Sequence, residues 1–226
     1  MKIGLVSDAH GHVRALERAI GVLRDARAEE ILFLGDALGY IDCVDTVQLI
    51  LDEGLLPLAG NHERMILDGT TPADRDEIYR HSSIESQLSP ATRSVLETWP
   101  SFRLLHDGAV LAVHGSPADP VNGYVYPDSE LEGFATPLGV RFVSMGHTHH
   151  AMVRRHNGIL FINPGSCGLP RDIRSSGSVA VLDLVRHDAE IIRFDISDVS
   201  ADFLNKVHES VRSAWLKREA DSVARR

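Results

Sequence analysis

Five short apolar runs in this chain each end in polar residues able to bind a metal ion. Val6 is followed by Ser7-Asp8-Ala9-His10, Leu34 by Gly35-Asp36, and Ala59 by Gly60-Asn61-His62-Glu63. Val113 is followed by His114-Gly115, and Met145 by Gly146-His147-Thr148-His149. In open α/β sheets, ligand sites collect outside the carboxyl ends of the strands. Clusters spread over about 140 residues can therefore meet at one place if the apolar runs are strands of such a sheet.

The spacing of apolar residues supports that reading. Lys2 to Ser7 and Glu30 to Leu34 are short apolar runs consistent with buried strands. Between them Val13, Leu16, Ile20 and Leu23 recur at helical spacing over 13–27. A helix over 44–53 leads to a third strand near 55–59, the pace of parallel β units. Residues 64 to about 100 are polar and helix-prone, which predicts a helical excursion. Strands are expected at 109–113 and 141–145. Asn157-Gly158 and His187-Asp188 each lie between apolar runs and predict hairpins. A closing helix is expected over 200–218. Parallel units followed by hairpins predict an α/β chain with two mixed sheets packed face to face as a β-sandwich, flanked by helices.

Composition bounds the function classes. With 226 residues, 43% apolar and 24% charged, and no Gly/Ser/Pro-rich break, the chain reads as one domain over 1–226. A net charge of −9 disfavours a protein that holds long nucleic acid by its phosphates. The locally basic end at Lys217, Arg218, Arg225 and Arg226 reads as a solvated helix terminus. Two distant cysteines, Cys43 and Cys167, do not make a disulfide scaffold. No apolar stretch approaches a membrane span, and the start MKIGLVSDAH is too short in its apolar part for a signal peptide. A cytoplasmic, reduced protein with no membrane partner is expected.

The donor set is mixed: carboxylates, imidazoles and one amide, without thiolate. That disfavours a structural zinc knot and suits Mn²⁺, Fe or Zn²⁺ with positions left for water. Seven donors exceed what one ion can use while binding substrate. They suit two ions sharing a carboxylate, roughly 3.5–4 Å apart, clamping both sides of an in-line displacement at phosphorus. In Asp8-x-His10 and His147-x-His149, an extended backbone would turn both side chains the same way.

The ordered series Asp8-x-His10, Gly35-Asp36, Gly60-Asn61-His62-Glu63, His114-Gly115 and Gly146-His147-x-His149 resembles the calcineurin-like metallophosphoesterase superfamily. The stretches His114-Gly-Ser-Pro-x-Asp-Pro, with Tyr124-x-Tyr126-Pro127, and Asn163-Pro-Gly-Ser, with Pro170-Arg171-Asp172, narrow it to the small bacterial and archaeal phosphodiesterases. The resemblance implies a four-layer β-sandwich flanked by helices and two divalent ions, Mn²⁺ foremost, with Fe, Zn²⁺ or Ni²⁺ as further candidates. It implies that Asp8, His10 and His149 hold the first ion, that Asn61, His114 and His147 hold the second, and that Asp36 bridges them. A water or hydroxide between the ions would be the nucleophile, and His62 would assist the leaving oxygen. The implied partner is a small phosphorylated, nucleotide-like diester or monoester.

Some positions depart from the family's common pattern: Glu63 where many small relatives have Asp, His12 where Asn is frequent, and Cys167 in place of a small apolar residue. Glu63 leaves open what orients His62. His12 reads either as a substrate contact or as a surface group, and Arg171 either as a phosphate partner or as half of a surface salt bridge. Asn163 and Ser166 could cradle phosphate or cap a turn. Tyr124 and Tyr126 read as packing for their own loop, Cys167 as a small buried hydrophobe, and His81, His106, His156, His187 and His208 as surface or loop residues. Among alternative activities, the G-N-H-E form matches phosphoprotein phosphatases, but their Asp-Arg-Gly is missing at 36–38. A nuclease of this superfamily is disfavoured by the acidic balance, and a non-catalytic scaffold by the retention of every ligand position.

Overall fold

The computed structural model describes residues 1–134 and 136–223, apart from the side chains of 218–223. Of the basic C-terminal cluster, the Arg218 side chain, Arg225 and Arg226 lie outside the described residues. The first half alternates β1 (Lys2–Val6), α1 (Val13–Asp25), β2 (Glu30–Phe33), α2 (Asp45–Asp52) and β3 (Leu56–Pro57). The helical excursion follows as α3 (Asn61–Asp68), α4 (Asp76–Tyr79), α5 (His81–Gln87) and α6 (Pro90–Glu97). The strands β4 (Phe102–Leu105), β5 (Val110–Val113), β6 (Phe142–Ser144), β7 (Ala151–His156) and β8 (Ile159–Pro164) come next. The chain closes with β9 (Ser176–Asp183), β10 (Asp188–Asp195), α7 (Ser197–Leu204) and α8 (Glu209–Val223).

These strands make two five-stranded mixed sheets, in the orders β10-β9-β1-β2-β3 and β4-β5-β6-β8-β7. β1, β2 and β3 pair in parallel, as do β5, β6 and β8. The two-residue period of a strand sends alternate side chains to opposite faces. In β1 and β2, Ile3, Leu5 and Leu32 join Val110, Phe142 and Leu160 in the apolar layer between the sheets. Val6 and Phe33, one step out of phase, face the other way and pack with Leu16 and Ile20 of α1 and Ile50 of α2. The buried stripe of α1, at Ala15, Leu16, Ala19, Ile20 and Leu23, has the three-and-four spacing of a one-faced helix. On the outer face of the second sheet, Val143, Met152 and Phe161 pack against Val125 and Leu131 of the long β5–β6 connection.

The hairpin at Asn157-Gly158 forms with φ of 48° and 80° at its two central residues, the left-handed pair that a tight right-twisted hairpin needs. Two elements differ from expectation. Strand β4, which the sequence reading does not include, is an edge strand whose Phe102 and Leu104 face solvent. The single closing helix is two, α7 and α8, broken at 205–208, and both supply residues to a cluster with Tyr40 and Ile41. Among the described residues, no helix is long and apolar enough to cross a membrane.

Candidate metal centre

Beyond their carboxyl ends, β1 and β2 continue side by side as loops. Asp8 N donates to Gly35 O, His10 N to Asp36 O and Gly11 N to Ala37 O. The loops after β3, β5 and β6 close on the same point. The result is that Asp8, His10 and His149 form one buried group of metal-competent atoms, and Asp36, His114 and His147 another. Asn61 joins the second group through its Oδ1, 3.1 Å from His114 Nε2. Asp36 Oδ2 lies 3.3 Å from His114 Nε2 and 3.9 Å from both His10 Nε2 and His62 Nε2, so one oxygen stands between the groups.

The backbone here is not extended. Asp8, His10, Asp36, His147 and His149 all have positive φ, between 49° and 67°. The two x-separated pairs converge because alternate residues enter the left-handed region, which is costly for non-glycine residues and concentrates at functional sites. The cost is held by a dense net of hydrogen bonds. Asn163 donates to Gly146 O and Thr148 Oγ1, and Ser166 Oγ donates to Asp8 O. Those two residues therefore cap turns beneath the centre.

Main-chain partners set which atom of each donor is free. Asp8 Oδ2 accepts from His147 N and Asp36 Oδ1 accepts from His62 N, which leaves Asp8 Oδ1 and Asp36 Oδ2 turned inward. The Nδ1 atoms of His10, His114 and His149 sit 2.9, 2.7 and 2.6 Å from the carbonyls of Leu38, Leu34 and Leu169. A neutral ring that donates Nδ1–H in this way presents a bare Nε2 lone pair, the usual arrangement of a metal-bound histidine. His10 Nε2 and His149 Nε2 then face each other at 3.1 Å. His147 turns its Nδ1 to within 3.1 Å of His114 Nε2, and Asp8 Oδ1 is buried without any hydrogen-bond partner. An unpaired buried acceptor of this kind is costly without a cation. The residues present therefore fit divalent metal.

Charge states follow the same crowding. Burial pushes Asp8 up to about 7, and drops His10 to about 4 and His147 to about 3. Burial opposes charge on His114 as well, yet the adjacent Asp36 carboxylate raises it to about 9. Burial likewise works against the Asp36 carboxylate, but His114 and His62 hold it well below the ordinary carboxylate range.

A cleft of about 80 Å³ opens over the centre, lined by Asp36, Asn61, His147, His149, His62, Arg171 and three tyrosines, Tyr40, Tyr79 and Tyr124. Arg171 Nη2 donates to the Tyr40 hydroxyl at 3.1 Å. His12 is not part of this cleft: it is buried, with its ring stacked 4.6 Å from Phe203 of α7. Cys167 is a fully buried thiol whose pKa burial pushes up.

Two readings of the sequence are corrected. Tyr124 does not merely pack its loop, since its ring centroid lies 4.0 Å from that of His147. His81 is no surface residue: it is 2% exposed and reaches His62. Nothing local in the sequence marked His81 or Tyr79, because helical packing brings them in from a polar stretch, whereas Tyr40 lies four positions after Asp36 in the loop beyond β2. Glu63 is spent elsewhere. Its carboxylate accepts from the backbone N–H groups of Asp36, Leu38 and Gly60, so it holds the N-cap amide at the start of α3 and also clamps the Asp36 loop.

A fold of two mixed sheets with such a centre at the strand ends defines a metallophosphoesterase architecture. The family model for the calcineurin-like phosphoesterase superfamily domain matches residues 1–187, and the chain belongs to that superfamily. It is 36% identical over 198 residues to a protein of Methanothermobacter thermautotrophicus named a probable metallophosphoesterase, across 85% of this chain and 92% of that one. The crystal structure of a metallophosphoesterase from Sphaerobacter thermophilus is similar at a TM-score of 0.75 and 26% identity, covering 96% of this chain and 98% of the other. A hypothetical protein of Pyrococcus horikoshii shares the fold at a TM-score of 0.80 and 16% identity, over 94% of this chain and 96% of its own.

Proposed function

We propose that this chain is a dinuclear metal-dependent phosphoesterase acting on a small phosphodiester or phosphomonoester. The observation that carries the reading is the single inward oxygen of Asp36 standing between two groups of bare donor atoms. Asp8, His10 and His149 would hold one ion, and Asn61, His114 and His147 the other, with Asp36 shared. When bound, such ions supply Lewis acidity at phosphorus and lower the pKa of a coordinated water. Oxygen and imidazole donors without thiolate suit Mn²⁺ first, with Fe, Zn²⁺ and Ni²⁺ as further fits.

The protein's own residues do the rest. Arg171, at the cleft wall, offers its guanidinium to a phosphate oxygen. His62 lies beside the donors with its Nε2 toward Asp36, where it can present a proton to the leaving oxygen. Tyr40, Tyr79 and Tyr124 narrow the cleft and exclude water. A cleft of about 80 Å³ supports a phosphoryl group with one small substituent as the reacting part.

The test is hydrolysis of a chromogenic phosphodiester. Chelator-treated protein should be inert and Mn²⁺ should restore turnover. Asp36→Ala should abolish turnover while the chain stays folded by circular dichroism. Full activity in Asp36→Ala would end the proposal.

A further inference from the structure

The helical excursion returns one residue to the centre. His81, the first residue of α5, has Nε2 2.8 Å from His62 Nδ1 and Nδ1 2.7 Å from Thr71 Oγ1. Both rings are buried, while Thr71 is half-buried in the loop after α3. The His62 ring has no freedom to turn. It packs edge-on against Tyr79, with centroids 4.8 Å apart, and a methyl group at Gly39 would collide with its Nδ1.

Two neutral imidazoles joined by one hydrogen bond can run it in either direction. In one, His81 donates Nε2–H, so His62 is bare at Nδ1 and carries its proton on Nε2. In the other, the His62 proton sits on Nδ1 and its Nε2 is a lone pair. Thr71 accommodates both, because a hydroxyl donates or accepts. Asp36 breaks the tie: its Oδ2 lies 3.9 Å from His62 Nε2, and a carboxylate favours a proton facing it over a lone pair.

We infer that His81, itself seated on Thr71, is a positioning residue that donates to His62 Nδ1 and thereby keeps the His62 proton on the nitrogen facing the cleft. The inference rests on the phosphoesterase reading only for its kinetic consequence. His62 can assist a leaving oxygen through Nε2–H, and that assistance matters more as the leaving group becomes less acidic. His81 thus fills the orienting role that Glu63, committed to three backbone amides, does not.

The experiment has two arms. In the first, nitrogen-15 NMR of histidine-labelled, zinc-loaded protein reads the His62 tautomer. Wild type and His81→Gln, whose amide N–H can still donate, should show the Nε2–H form, and His81→Ala should lose it. In the second, kcat and KM are measured over aryl phosphodiesters that release nitrophenol, chlorophenol or phenol. His81→Ala should lower kcat for the phenyl ester by on the order of tenfold more than for the nitrophenyl ester, with KM and metal content unchanged. Thr71→Val should shift the series the same way to a smaller degree, and it serves if His81→Ala fails to fold. An equal loss on every ester, or a His62 tautomer indifferent to position 81, would overturn the inference. Wild-type protein inert to all esters would sink the phosphoesterase reading, and the tautomer comparison would still decide this one.

Discussion

His10 and His149, 139 positions apart in the chain, point their Nε2 atoms at each other across 3.1 Å, while each Nδ1 is committed to a main-chain carbonyl. Two lone pairs at that separation repel, and a cation between them converts repulsion into two bonds. Metal should therefore stabilise the fold strongly. At a hundredfold excess over Kd, mass action gives about 2.7 kcal/mol. For a chain of this size each kcal/mol moves the midpoint by roughly 2–4 °C. Calorimetry with and without Mn²⁺ should show a rise of about 5–11 °C that EDTA reverses. Identical midpoints would mean that nothing binds between these rings.

Metal uptake should also be linked to protons. Without metal, burial lifts Asp8 to about 7; at His114 burial pulls down but Asp36 prevails, lifting it to about 9. Both must be deprotonated to act as ligands. Below their ordinary 6.5, His10 and His147, lowered by burial to about 4 and about 3, work against the metal-free fold, whereas Asp8 and His114, raised above the ordinary 3.8 and 6.5, contribute stability at low pH. That stability is lost as pH rises, through about 7 for Asp8 and about 9 for His114. The loaded protein, with no proton to lose there, follows the opposite trend relative to it. Titration calorimetry in buffers of different ionisation enthalpy should show proton release on Mn²⁺ binding near pH 7. Affinity should climb between about 6.5 and 9.

Much of this centre could be read from the sequence because each donor follows an apolar strand directly, as Asp8 follows Val6 by two positions and His114 follows Val113 by one. Strand ends in parallel units must lie together, so adjacency in sequence became adjacency in space. The backbone geometry was not legible: Asp8 and His10 converge through left-handed φ, not through an extended strand. His81 was invisible for a different reason. It lies 19 residues from His62, in a polar stretch, and only the packing of α5 against α3 brings the two rings together. The break between α7 and α8 was missed because 205–208 carries no glycine or proline to announce it.

Glu63 should be worth more to the fold than a surface carboxylate. It is fully buried and accepts from Asp36 N at 2.9 Å, Leu38 N at 2.9 Å and Gly60 N at 2.8 Å. Glu63→Ala orphans all three donors, at about 1–3 kcal/mol each, and a loss of roughly 3 kcal/mol or more is expected in urea unfolding. Glu63→Gln, which keeps an acceptor oxygen, should cost less. The alanine variant should also bind less metal by elemental analysis, because the clamped loop carries Asp36.

Gly60 has an ordinary φ of −87°, so its requirement for glycine is steric and not conformational. A methyl group there would collide with Asp36 Oδ1, the oxygen that His62 N holds in place. Gly60→Ala should therefore move the Asp36 carboxylate. Metal content should fall and turnover should drop by at least tenfold, an effect that a mere change in helix propensity could not produce. Wild-type metal content and rate would show that the Asp36 loop yields freely.

Tyr124 offers the complementary case, a residue that should matter to substrate and hardly to stability. Its side chain is 55% exposed, yet its ring covers His147 at a centroid distance of 4.0 Å and forms one wall of the cleft. Aromatic contacts of this type contribute about 0.5–1.5 kcal/mol beyond area. If that contact is transferred to the bound ester, Tyr124→Ala should raise KM about two- to twelvefold with kcat changed by less than about twofold. The thermal midpoint should stay within about 1–2 °C, since an exposed ring removes little from the core. Tyr124→Phe keeps the ring and should behave as wild type. Steady-state kinetics on a chromogenic diester decide it: an unchanged KM in Tyr124→Ala would remove Tyr124 from the substrate wall, and a matching loss in Tyr124→Phe would assign the effect to its hydroxyl.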